Sequence, residues 1–62
     1  MNEQEEREEL SKLVKDYRQD NDLTQSEFSQ VTGVSTPTIC KIERKQITPG
    51  PMIQGRIRRV CK

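Results

Sequence analysis

Between Thr24 and Glu43 the chain reads TQSEFSQVTGVSTPTICKIE, and the punctuation of this stretch admits little besides two short helices joined by a tight turn. Thr24-Gln25-Ser26-Glu27 is a capping box: the Thr24 hydroxyl accepts from the Glu27 amide while the Glu27 carboxylate reaches back to the Thr24 amide. Leu23 and Phe28 flank it at the two staple positions. Gly33 follows where the backbone must take a positive φ to leave the first helix, a conformation glycine adopts without steric cost. Ser35 is placed to cap a second helix, and Pro37 falls in its first turn, where a missing amide proton matters little.

Phe28, Thr32, Val34, Ile39 and Ile42 are spaced to meet in one small core, which sets the second helix at a steep angle to the first. Thr36, Pro37, Cys40, Lys41 and Arg44 are then left outward. With Gln25 opening the first helix, FSQVTGVS through the turn, TIxKIE in the second and Pro49 soon after, the stretch resembles the Cro and phage-repressor type of helix-turn-helix, the XRE family. The resemblance extends from about Leu10 to Val60. It implies an all-α, compact, lambda-repressor-like domain of four helices, with the motif at the second and third. No counterpart appears of the fifth helix that members commonly add.

The whole chain agrees with a small bundle. Sixty-two residues, of which 29% are hydrophobic, allow one domain with an economical core. No apolar run approaches a membrane span and nothing resembles a signal peptide, so a cytoplasmic location is expected. Cys40 and Cys61, in a chain without histidine, are too few for a metal site; a disulfide between them is an open alternative that a reducing compartment disfavours, and two small semi-apolar fillers are expected, with no cofactor implied. A nucleophilic cysteine needs a base or a strongly electropositive pocket, and no enzyme is implied.

The net charge of +1 conceals a division. Residues 1–9 hold Glu3, Glu5, Glu6, Glu8 and Glu9 against Arg7; residues 10–62 hold ten Lys or Arg against five acids. From Thr36 onward seven basic residues face Glu43 alone, the electrostatic footprint of a phosphate-binding surface. The organisation expected is therefore an acidic start of the first helix at 1–9 and a helix-turn-helix domain at 10–62, with its motif at 24–43. The acids also suit the positive end of a helix dipole, with Lys12, Lys15 and Arg18 toward the other end.

The first helix is expected over 3–20, with Leu10, Leu13, Val14 and Tyr17 as its apolar stripe and Asn21-Asp22 as its stop. The next two are expected over 25–32 and 36–45. After Thr48-Pro49-Gly50-Pro51, a last helix over 51–61 would bury Met52, Ile53, Ile57 and Val60 and turn Arg56, Arg58 and Arg59 outward, weakened by Gly55.

The resemblance also implies a site. Gln25, at the amide-rich start of the second helix, matches a phosphate-holding glutamine. Thr36, Pro37, Cys40 and Lys41 match the positions that face base edges: Lys41 can donate to guanine O6 or N7, Thr36 can offer a hydroxyl or a methyl, Pro37 only apolar contact, and Cys40 lines the groove. Thr38, Arg44, Lys45 and Thr48 would hold phosphates, with simple solvation as the rival account of the basic ones. Arg18 and Glu43 match a structural pair that ties the first helix to the third.

The expected function is that of a sequence-specific regulator of transcription, a bacterial or phage repressor whose partner is double-stranded DNA. Two further readings accompany it: a protein-interaction module of antirepressor or antitoxin type, favoured by Pro37 and the acidic start as a protein-partner site, and the DNA-binding part of a longer regulator. A monomer in solution is expected, pairing if at all on DNA, with Met52, Arg56, Arg59 and Val60 as the contact edge and Cys61 open to artificial cross-linking between chains.

Overall fold

Asn2 opens the first helix: its side-chain carbonyl accepts from the Glu5 amide at 2.8 Å, with Glu3, Glu5 and Glu6 on the first turn where the helix dipole favours acids. From there the computed structural model, which describes residues 2–61, runs through α1 Glu3–Asp20, α2 Gln25–Thr32, α3 Thr36–Glu43 and α4 Pro51–Val60. All four elements are helical, as the resemblance implies. Leu10, Val14, Phe28, Val34, Ile39, Ile42, Ile57 and Cys61 form the buried core, and Leu13, Tyr17, Leu23, Ile47, Ile53 and Val60 close its edges. Tyr17 tilts against Phe28 with ring centroids 5.7 Å apart, a favourable aromatic arrangement that docks α1 on α2.

The helix ends explain the boundaries. The capping box of α2 forms in full, with Glu27 N–H on Thr24 Oγ1 at 3.1 Å and Thr24 N–H on Glu27 Oε1 at 2.9 Å. Gly33 takes φ 77°, as the turn requires. Beside it Thr32 is buried, donating to the Phe28 carbonyl at 2.9 Å and accepting from the Val34 amide at 3.2 Å, so one hydroxyl fixes both sides of the turn.

Several details differ from the sequence expectation. Ser35 stands at the N-cap of α3 but makes no capping bond; its hydroxyl meets the Thr38 hydroxyl at 2.7 Å instead. The third helix stops at Glu43, short of Lys45, because Lys45 turns to φ 61°. The amides of Lys45 and Gln46 bond back to the carbonyls of Ile42 at 3.1 Å and Lys41 at 2.9 Å, the paired closure of a Schellman motif. The same closure ends α1, where Asp22 takes φ 53° and the Leu23 amide bonds to the Arg18 carbonyl at 2.8 Å.

On α4 the buried side is narrower than expected. Ile57 is buried and Ile53 and Val60 are half-buried, but Met52 is exposed. One helical turn in which Pro51 and Met52 lie outward leaves Ile53 as its apolar contact with the core. The helix ends at Val60, and Cys61 beyond it is buried; burial also pushes its thiol pKa up, which disfavours the thiolate that oxidative cross-linking requires.

Candidate nucleic-acid interface

Burial alternates along α3 as helix geometry demands. Ile39, Ile42 and Glu43 face inward; Pro37, Lys41 and Arg44, at i, i+4 and i+7, form one exposed ridge. Cys40 is half-buried beside the ridge, with Thr36 and Thr38 on its two rims. Among the described residues no carboxylate lies within ion-pairing distance of Lys41, Arg44 or Lys45, since the ion pairs there join Arg7 to Glu3, Arg18 to Glu43 and Arg58 to Glu9. The outward face of α3 thus carries positive charge held in no ion pair, while Lys45 in the turn after it shares surface grooves with Glu8 of α1.

Beneath that face, beside the core contacts of Ile39 and Ile42, lies a polar network. Arg18 Nε donates to Glu43 Oε2 at 2.6 Å and Arg18 Nη2 to Oε1 at 2.8 Å, a bidentate fork between α1 and the last residue of α3. The Glu43 side chain is 8% exposed and that of Arg18 22%, so the pair is largely out of water. Arg18 Nη1 also donates to the Leu23 carbonyl at 3.0 Å, tying in the α1–α2 loop. The hydrogen bonds and charge of Glu43, partly offset by desolvation, raise the Arg18 pKa above its ordinary value.

Gln25 enters the same network, its Nε2 donating to Glu43 Oε1 at 3.3 Å. One amide proton is spent there, leaving the second for a ligand at the start of α2. The capping box occupies the Thr24 and Glu27 amides, so those of Gln25 and Ser26 remain the outward-pointing donors of that helix end.

Two residues not singled out from sequence complete the support. Ser11 is buried and its hydroxyl donates to the Glu43 carbonyl at 2.8 Å, satisfying a group at the end of α3 that would otherwise lack a partner. Its signal was position: Ser11, Val14 and Arg18, at i, i+3 and i+7, share the side of α1 that meets α3. Arg7, in the acidic start, donates from Nε to Thr48 Oγ1 at 2.7 Å and so tethers the α3–α4 loop to α1. Thr48 is half-buried by this contact, with its own hydroxyl proton still to give.

Gln25, the α3 ridge, Arg44, Lys45 and Thr48 therefore occupy successive elements around one helix whose inner side is fixed. The arrangement offers rigid donors and cations and no nucleophile–base pair. Among the described residues no group of three His, Cys, Asp or Glu could hold a metal, and no helix is long and apolar enough to cross a membrane.

A family model described as helix-turn-helix, of the Cro and phage-repressor type, matches residues 14–53, which include α2, α3 and the loop beyond them. Neither a curated protein nor a solved structure gives a significant match.

Proposed function

The chain belongs to the Cro and phage-repressor type of helix-turn-helix family, which supports a DNA-binding regulator, and from that premise we propose a sequence-specific bacterial or phage repressor that lays α3 in the major groove. The observation that carries this is the exposed ridge of Pro37, Lys41 and Arg44, with no carboxylate in ion-pairing distance of either cation among the described residues, held from below by the Arg18–Glu43 fork. In this reading Lys41 donates to a guanine edge, Thr36 and Pro37 meet base edges from the start of the helix, and Cys40 lines the groove. Gln25, Thr38, Arg44, Lys45 and Thr48 hold phosphates and fix register. Two copies would read half-sites about one helical turn apart, in keeping with DNA readers of this kind.

The test is selection from a random duplex pool followed by salt titration on the recovered site. Neutralising about 4 to 6 phosphates gives a slope of log K against log salt of roughly −4 to −5. Recovery of no common sequence, together with a slope near zero, would favour the second reading, a protein-interaction module on the same scaffold. That reading draws on Pro37, which has no hydrogen-bond donor to give a base, and on the acidic start. The start is partly neutralised within the chain, however, by the contacts of Glu3 with Arg7 at 3.9 Å and Glu9 with Arg58 at 3.0 Å.

A further inference from the structure

Among the described residues the two large apolar side chains left most exposed, Val31 at 51% and Met52 at 73%, line the same groove of about 550 Å³ between the end of α2 and α4. Its remaining walls include Pro51, Gly55, Arg56, Arg59 and Val60, and it contains none of the residues assigned above to DNA.

Gly55 is the informative member. A Cβ built there meets no atom within 4 Å, and the residue is not among those with positive φ, so neither packing nor backbone geometry requires glycine. A glycine inside a helix is nevertheless destabilising relative to alanine. The missing side chain leaves the groove open where another backbone can approach closely. Charge then selects the occupant: Arg56 and Arg59 are exposed, neither has an ion-pair partner among the described residues, and no acidic residue lines the groove.

We propose that this groove docks an amphipathic helix of a protein partner, its apolar edge seated on Val31, Met52 and Val60 over Gly55 and its flanking Asp or Glu residues on Arg56 and Arg59. The acidic start of a second copy fits poorly, because Met1 is the one apolar residue among residues 1–9, too few to fill the groove. A two-fold pairing of this edge with itself, the contact expected from sequence, would set Arg56 and Arg59 against the same residues of the other chain, an arrangement that like charges disfavour.

The probe is a fluorescent helical peptide of about 16 residues with Leu at i, i+4, i+7 and i+11 and Glu on both flanks, compared with the same peptide carrying Lys for Glu. Fluorescence anisotropy with the full chain should show the Glu peptide bound at least about tenfold more tightly than the Lys peptide. Met52→Glu and Gly55→Leu should each weaken it by about tenfold or more, the first by placing like charge on the groove and the second by filling it. The double variant Arg56→Glu/Arg59→Glu should reverse the preference between peptides. Helical circular dichroism establishes that each variant is folded. Equal affinity for both peptides, no saturable binding, or binding indifferent to Gly55→Leu and Met52→Glu would overturn the proposal. A wild-type dimer in sedimentation equilibrium that Met52→Glu dissociates would overturn it too, by making a second copy the occupant.

Discussion

Replacing Arg18 with alanine removes the bidentate partner of Glu43 and strands a carboxylate that is only 8% exposed, with the Gln25 amide at 3.3 Å as its remaining side-chain donor. Leaving a buried charge without its partner costs about 3 to 5 kcal/mol; some solvent reaches this pair, so about 3 kcal/mol is expected. Glu43→Ala is the milder change. It leaves Arg18, 22% exposed and still bonded to the Leu23 carbonyl, so about 2 kcal/mol is expected. The double variant should cost about 3 kcal/mol, well short of the sum, for a coupling of about 2 kcal/mol. A chain of 62 residues has about 3 to 9 kcal/mol in total, so Arg18→Ala should lower the melting temperature by roughly 12 °C or more. The assay is a double-mutant cycle on urea midpoints at low and at about 0.5 M salt, where a pair excluded from water keeps its coupling while a surface pair loses it. Strict additivity, or a larger cost for Glu43→Ala than for Arg18→Ala, would refute the account of which partner is stranded.

On DNA, Lys41→Ala should relax base preference at one position and cost about 1 to 3 kcal/mol on the selected site, whereas Arg44→Ala should weaken all duplexes alike; profiles over a set of variant sites compare the two. Gly33→Ala should destabilise by about 1 to 2 kcal/mol because φ is 77° there, while Lys45→Gly, at φ 61°, should stabilise by about 1 kcal/mol yet weaken DNA binding, measured by thermal melts and anisotropy. Half-buried Cys40 should react with a maleimide well before Cys61, whose burial holds its thiol pKa up; mass spectrometry of the native and urea-unfolded chain counts the labels, and equal native rates would contradict the burial. The same raised pKa lets the unfolded thiol ionise first, so its contribution to stability is fully present below the unfolded value and declines as pH rises toward the folded one, a loss that Cys61→Ala should abolish in urea midpoints taken across alkaline pH.

The motif was legible because its signals are local. The capping bonds of Thr24 and Glu27 span three residues, and Gly33 declares its positive φ by having no Cβ. The end of α3 was not legible, since Lys45 holds a left-handed conformation usually given to Gly or Asn, and the sequence there reads as more helix. Met52 is exposed against expectation for a similar reason: an apolar residue in the first turn of a helix looks like core until the packing shows which turn reaches it.

By itself the sequence determined the four helices, the turn between α2 and α3 and the residue types on the outward face of α3, because capping, periodicity and glycine geometry act within a few positions along the chain. Beyond the Arg18–Glu43 pair, which the family resemblance implied, only the tertiary structure decided how that face is held. The Ser11 hydroxyl meets the Glu43 carbonyl across 32 residues and Arg7 meets Thr48 across 41, contacts that exist because the core brings α1 against α3 and its following loop. The open groove over Gly55 belongs to the same class of information: a missing Cβ has consequences only where packing determines what stands opposite it, and here none of the described residues does.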